Sequence, residues 1–455
     1  MDTNVLDLKL LHNWRWFTRA MVMLTIAAHT PVNAQTFKHP GVLVDRAQLD
    51  FVKKQIADGK QPWKDAYTKA MASPLASLSY TPSPRDTIEC GYSSMPDSGC
   101  TEEKNDANAA YTHALLWYLN GNKAHAQKAI QIMNAWSAVL KTHTNDNAHV
   151  QAGWVACKFP RAAEIIRHTN AGWSSADINR FSDMLRKAYL PAIWNGAPTY
   201  NGNWELTMIE AMMGIGVFLD SAQTFNHAVS MWRKRVPAYF YLTSDGAYPV
   251  PAPGTTQDTK EEVIAYWQDQ AVFKDGLAQE TCRDFDHTQF GIASAINAAE
   301  TARLQDVNLY GEESKRLTVA LEFHAGYLNG DSIPSWLCGG KVDLSTHPTW
   351  EIAYNHYHNR LGIALPKTEK LILAKLRPTG AGLIVAWETL THAETGNTTV
   401  HIASPAQQFR HGPQRAQVIF LDGQGILVQR PGKAGYLTWF GTDGKKHPDL
   451  DNSND

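Results

Sequence analysis

The stretch DANAAYTHALLWYLNGNKAHAQKAIQIMNAWSAVL, residues 106–140, decides the architecture. An aspartate opens a run with apolar residues at helical spacing, Asn-Gly-Asn stops it at 120–122, and a second helical run follows at once. Two helices joined by so short a turn lie antiparallel as neighbours. The pattern continues outward, with further helices expected over 150–167, 175–190, 203–220, 223–236, 260–273, 277–304, 310–328 and 349–363, while strand signals are almost absent before residue 380. Repeated helical hairpins in a chain of 455 residues predict an all-α fold, an (α/α) toroid or incomplete helical barrel, rather than a compact bundle.

Both ends depart from this pattern. Arg15 and Arg19 precede the apolar run AMVMLTIAA (20–28), and the small-residue site VNA ends at Ala34, the order of a secretory signal peptide. The run is too short to span a bilayer. Residues 1–34 are therefore expected to be removed and the mature chain exported, to a periplasm or outside the cell. The helical catalytic domain is expected over 35–375. Beyond it GLIVAWETL, AQVIFLDG, GILVQR and GYLTWFG are separated by Gly, Asn and Pro, so 376–455 is expected to be a C-terminal appendage, β-like or partly disordered. Cys90 and Cys100 flank a Gly/Ser/Pro-rich loop and could close a small disulfide in an oxidising compartment; five cysteines leave at least one thiol free or paired between chains.

A net charge of −2, from 42 basic and 44 acidic residues, provides no global field for nucleic acid or anionic lipid. Any anionic ligand must be met by local groups. The 15 Trp, 16 Tyr and 15 Phe exceed what a core requires, and such a surplus often supplies stacking platforms for sugars. There is no GxSxG elbow, no GxxxxGK[ST] loop and no CxxC or HExxH pair, which removes the usual supports for serine hydrolysis, phosphoryl transfer and a dedicated zinc site. No metal and no cofactor is expected, and the oligomeric state stays open.

Three polar constellations remain. In QETCRDFDHTQFG (279–291), Glu280, Arg283, Asp284 and His287 are spaced i, i+3, i+4 and i+7, which would place them on one helix face. A solvent-facing ion-pair ladder would read the same way. Against it, the continuation GIASAINAAETA has the small residues of a tightly packed helix, with little surface to spare. In TWEIAYNHYHNRLG (349–362), Trp350, Tyr354 and Tyr357 form a stripe that ordinarily belongs to a core. Yet its neighbours Asn355, His356 and His358 are costly to bury unpaired, which makes the stretch a candidate source of an acid or base. In NGNWELTMIEAMMG (201–214), Asn203 is either a helix N-cap or, with the first helical amides, a holder of a carboxylate. Gln151, Trp154, Lys158, Trp204, Tyr248 and Trp267 are further candidate substrate contacts, together with Glu280, Trp350 and Asn355.

These stretches, with HPG at 39–41, AAYTHALLWYLNGNKAHAQKAIQIMNAWS and KFPRAAEI, resemble the alginate-lyase-type polysaccharide lyases with a helical toroid, most closely the branch known as polysaccharide lyase family 38, over roughly residues 37–392. The resemblance implies β-elimination on an acidic polysaccharide, alginate or glucuronan: the C5 proton of a 4-linked uronate is removed, an enolate forms on its carboxylate, and the C4 oxygen leaves. It casts Asn203 and Arg283 as neutralisers of the carboxylate. It casts a histidine and a tyrosine as base and acid, His287 with Tyr354 or Tyr357, and His356 as the competing histidine. Two rivals use the same residues differently. A glycoside hydrolase on a helical toroid would need two carboxylates from Glu280, Asp284, Asp286 and Glu351; an exported sugar-binding protein would keep the aromatic platforms and need no titrating histidine.

Overall fold

The computed structural model describes residues 35–393 and, beyond them, 417–421, 425–429 and 437–440; the expected signal peptide lies outside the described residues. A two-stranded ribbon of β1 (Gly41–Val42) and β2 (Val44–Asp45) leads into α1 (Arg46–Ala57), capped by the Asp45 side chain, and α2 (Trp63–Met71). A small sheet joins β3 (Thr87–Cys90) to β4 (Asp97–Ser98) and β5 (Thr142–Thr144).

The hairpin at 106–140 is present as α3 (Cys100–Asn120) and α4 (Lys123–Val139). Gly121, in the left-handed region, ends the first helix, and the Asn122 side chain caps the second. The first helix starts earlier than its apparent cap, Asp106. That aspartate is buried and accepts hydrogen bonds from the Tyr80 hydroxyl (2.6 Å), the Trp136 indole (2.6 Å) and the Ser83 amide (2.8 Å). Helices then follow in order: α5 (Ala148–Ala156), α6 (Phe159–Arg167), α7 (Ser175–Met184), α8 (Leu190–Ile193), α9 (Gly202–Phe218) and α10 (Ala222–Tyr239). After them come α11 (Lys260–Tyr266), α12 (Phe285–Leu304), α13 (Leu309–Glu312), α14 (Ser314–Leu328), α15 (Glu351–Tyr354), α16 (Pro366–Leu371) and α17 (Glu388–His392).

Helices α3, α9 and α12 are buried on nearly every side. α9 lies against α5, α10 and α12, and α3 against α4 and α6, so the helices form an inner wall backed by outer partners. The sequence accounts for the division: MIEAMMGIG and GIASAINAAETA carry small or pliable side chains all round, whereas α4, α7, α10 and α14 keep a polar face. This is the expected all-α toroid.

Residues 376–393, read from sequence as the start of the appendage, are instead part of the helical unit. Thr379 and Thr389 exchange amide-to-hydroxyl hydrogen bonds (3.0 and 2.8 Å), the Trp387 indole donates to Thr112 on α3, and the Gln48 amide of α1 donates to the Thr391 carbonyl. GLIVAWETL looked like a strand because a short apolar run does not distinguish a strand from a buried turn and helix. A second compact unit, 400–455, contains the antiparallel meander β6 (Gln417–Leu421), β7 (Gly425–Gln429) and β8 (Leu437–Phe440), in which Leu427 pairs with Ile419 on one side and Trp439 on the other.

Cys90 and Cys100 form the expected disulfide. Cys282 and Cys338 form a second, and Cys157 is a buried free thiol.

Candidate active site

The helix read as 277–304 begins only at Phe285. Asp284 has an extended backbone and caps α12, its carboxylate accepting from the His287 amide at 2.7 Å. Glu280 and Arg283 therefore sit on the preceding turn, not on a helical stripe, and the expectation of one shared face is corrected. The turn still brings the group together. Glu280 is fully buried and accepts from the Asn203 amide (3.1 Å), the Asn203 side-chain nitrogen (2.7 and 2.8 Å), the Tyr239 hydroxyl (3.0 Å) and the Arg283 guanidinium (3.0 Å). One carboxylate thus joins the N-terminal turn of α9, the end of α10 and the turn before α12.

Neither sequence reading of Asn203 holds unchanged. The N-cap is Asn201, whose Oδ1 accepts from Gln268 and Gln279, and the first amides of α9 are taken by Gln279 and Glu280. Asn203 is buried, its side-chain nitrogen is committed to Glu280, and its Oδ1 has no hydrogen-bond partner among the described residues. Tyr239 occupies a slot between two glycines. A Cβ on Gly202 would lie 2.2 Å from its ring, and one on Gly291 would lie 2.4 Å from its hydroxyl. Burial, and then the charge of Glu280, hold this hydroxyl protonated well above the ordinary tyrosine range.

Beside this buried hub stand the groups that solvent reaches. The Arg283 side chain is 32% exposed and that of His287 29%. His287 Nδ1 lies 2.7 Å from both oxygens of Asp284. With that nitrogen donating to the carboxylate, Nε2 carries the lone pair, the tautomer of a general base. Burial pushes Asp284 upward, but hydrogen bonds from the His287 ring and amide outweigh it and hold the carboxyl below its usual range, so Asp284 stays ionised.

The His287 ring packs against Phe290 at 5.5 Å, and on Phe290 also rests His347 at 5.2 Å, itself hydrogen-bonded to Asp286. Trp154, half-buried on α5, packs into the same apolar cluster with Leu383, and Lys104 lies 6.0 Å from its ring. Trp204, at the start of α9, stacks on the exposed Tyr200 at 4.5 Å. Sequence reasoning missed Tyr239 and His347 and named Asp286 only as a possible hydrolase carboxylate. Only the glycines around Tyr239 hinted at a close approach.

The tyrosines and histidine expected from 349–362 are elsewhere. After α15 the chain continues as a π-helical turn, Asn355–Arg360, whose wider pitch breaks the stripe drawn at ordinary helical spacing. Tyr357 is buried and donates to the Tyr310 carbonyl (3.0 Å); His356 stacks on Tyr310 at 3.8 Å, and burial pushes it down to about 3. Tyr354 is buried against His358, and Asn355 is buried and accepts from Asn359. Arg360, on the same turn, pairs with Glu300 on α12, thirteen residues beyond His287 and so about 20 Å along the helix. His356 and Tyr357 pack on Tyr310, whose hydroxyl donates to the Ile296 carbonyl, so with Arg360 they support the ring along that part of α12.

Several expected substrate contacts are also structural. Trp267 belongs to a buried cluster with Tyr241 and Leu277, and the buried Trp350 indole donates to the His347 carbonyl. Gln151 donates to Glu103, and the Lys158 ammonium is buried on the Trp154 and Leu383 carbonyls. Tyr248 lies on a surface loop against Phe273. Trp154 and Trp204 are the aromatic candidates that remain near the site.

The carboxylates a hydrolase would need are all occupied as acceptors: Glu280 by its four donor groups, Asp284 by His287, Asp286 by His347, and Glu351 by Arg377. None is placed as the proton donor of a carboxylate pair.

Residues 83–250 match the alginate lyase family. The match takes in less than half of the chain. No curated protein sequence matches it. Among solved structures, alginate lyase A1-III from Sphingomonas species A1 superposes on this chain with a TM-score of 0.55 at 13% identity, over 77% of this chain and 95% of that one. A histidine-to-alanine variant of A1-III complexed with tetrasaccharide gives a TM-score of 0.56 at 14% identity, over 77% and 94%. At such identities the likeness establishes the fold, and it agrees with the helical ring seen here.

Proposed function

We propose that this chain is a polysaccharide lyase that cleaves 4-linked polyuronates, alginate or glucuronan, by β-elimination in the cleft at Arg283 and His287. The observation that carries the reading is the pairing of a half-exposed guanidinium, braced by the buried Glu280, with a half-exposed imidazole whose far nitrogen is held by Asp284. Arg283 receives the uronate carboxylate and stabilises the charge that develops on it. His287 Nε2 takes the C5 proton. The C5–H electrons pass into the carboxylate as an enolate, then form the C4–C5 double bond as the C4–O bond breaks, and the departing oxygen takes a proton. In mannuronate or glucuronate the C5 hydrogen and C4 oxygen lie on the same side, so protonated His287 can return that proton. Asn203 and Tyr239 act as positioning residues through Glu280, and Trp154 and Trp204 offer stacking surface to flanking sugars.

Export is part of the same proposal. The signal-peptide-like order at the N-terminus and two disulfides suit an oxidising compartment, where an extracellular polymer would be met.

The test is ultraviolet absorbance of the new C4–C5 double bond on polymannuronate, polyguluronate, glucuronan and a neutral glucan. Absorbance should rise on at least one uronate and not on the glucan. No rise on any uronate would defeat the proposal.

A further inference from the structure

A second imidazole stands beside His287, and the elimination described above leaves it unused. His347 is hydrogen-bonded through Nε2 to Asp286, and its side chain is 33% exposed. Its other nitrogen, Nδ1, has no hydrogen-bond partner among the described residues. The pair repeats the layout of His287 and Asp284 with the two ring nitrogens exchanged. Phe290 lies one helical turn beyond both Asp286 and His287 on α12, and both imidazoles rest on its ring, His287 at 5.5 Å and His347 at 5.2 Å. The buried Phe290 packs with Trp154 and Leu383, so the two histidines share one apolar floor.

The chain holds His347 in place through a bracket on α12. Gln289, fully buried, accepts the His347 amide at 2.8 Å and donates to the Ser345 carbonyl at 2.8 Å. The Phe285 amide donates to the Asp343 carbonyl (2.9 Å), and the Trp350 indole donates to the His347 carbonyl (3.0 Å). A loop pinned at successive backbone groups presents its side chain in one position, as a reacting group requires.

We propose, resting on the elimination assigned to His287, that His347 is a second catalytic residue, the acid that protonates the C4 oxygen when the uronate is guluronate. There the C5 hydrogen and the C4 oxygen lie on opposite sides of the sugar, so the group that removes the proton cannot return it to the leaving oxygen. Two groups are needed. With the sugar over Phe290, His287 Nε2 takes the C5 proton and the C5–H electrons pass into the carboxylate held by Arg283. They then form the C4–C5 double bond as the C4–O bond breaks, and protonated His347, ion-paired with Asp286, gives its Nδ1 proton to the departing oxygen. His287 ends protonated and His347 neutral; both rings reach solvent, which restores the starting state. Asp286 fixes which nitrogen of His347 faces the sugar, as Asp284 does for His287.

The experiment is ultraviolet kinetics of the full chain on polyguluronate, polymannuronate and glucuronan, with His347→Ala and Asp286→Asn beside the wild type and thermal unfolding of each. The wild type should cleave polyguluronate as well as polymannuronate or glucuronan. His347→Ala should lower kcat on polyguluronate by about 10²-fold, and at least tenfold more than on the other two polymers. Asp286→Asn keeps the imidazole but removes its partner, and should move the same ratio in the same direction. If His347→Ala does not fold, Asp286→Asn alone decides. Equal losses on all polymers, or none on any, overturn the proposal, as does a wild type that leaves polyguluronate uncut while cleaving another uronate. That last pattern leaves the His287 elimination standing, whereas a wild type inactive on every uronate defeats both.

Discussion

At the scale of single residues, the site separates groups that touch solvent from groups that hold them. His287 belongs to the first set, and its replacement by alanine should lower turnover by about 10²–10⁴-fold, the usual worth of a positioned base. Thermal unfolding should hardly move, since the Asp284 cap acts through the His287 backbone amide. Loss of activity together with a large drop in Tm would mean that His287 is structural. Gly291 belongs to the second set. A methyl group there meets the Tyr239 hydroxyl, so Gly291→Ala should cost about 1–3 kcal/mol in overpacking. It should also reduce activity by shifting Tyr239 off Glu280, and denaturant unfolding with a parallel assay would check both. Arg283 and His287 were legible in the sequence because charged groups in a stretch otherwise built for burial demand an explanation. Tyr239 was not, since it lies 41 residues from its partner Glu280 and nothing local reports that contact.

At the scale of elements, the turn that carries Glu280 and Arg283 has only a few backbone hydrogen bonds of its own, among them those from the Arg283 and Asp284 amides to the Glu280 carbonyl. The Cys282–Cys338 disulfide lies within it, closing a separation of 56 residues. On loop-closure entropy such a link is worth about 4 kcal/mol. Cys338→Ser should therefore lower stability by up to that amount and, by freeing the turn, reduce kcat/KM more than the change in folded fraction explains; unchanged kinetics would show that the turn is held by Glu280 alone. The hairpin at 106–140 was readable from its turn chemistry, and the small residues of α12 announced an inner helix. What sequence spacing misplaced were two changes of helical phase. Asp284 starts α12 late, and the π-turn at Asn355–Arg360 rotates the aromatic stripe of 349–362 away from where ordinary pitch would put it.

At the scale of the whole molecule, burial of histidines sets the response to acid. Burial pushes His113, His356 and His392 down to about 3 and His324 to about 4, so all four are neutral in the folded chain. Unfolded, they titrate near 6.5. Their folded values lie below the unfolded ones, so stability is complete above about pH 6.5 and is lost as pH falls toward 4, because the unfolded chain takes up more protons. The slope approaches about 1.4 kcal/mol per pH unit for each histidine. Denaturant midpoints measured from pH 8 to pH 4.5 should hold level and then fall steeply below about 6.5; a flat profile would contradict the buried-neutral assignment. The ring itself carries a different consequence. Its closing contacts, from residues 379–392 to α1, α3 and the ribbon ahead of α1, are made by the last part of the helical unit to be synthesised. A nascent chain shorter than this cannot complete the wall, however many hairpins it has already formed. For the export proposed above, such an order of assembly gives the unfolded chain time to thread a translocation channel.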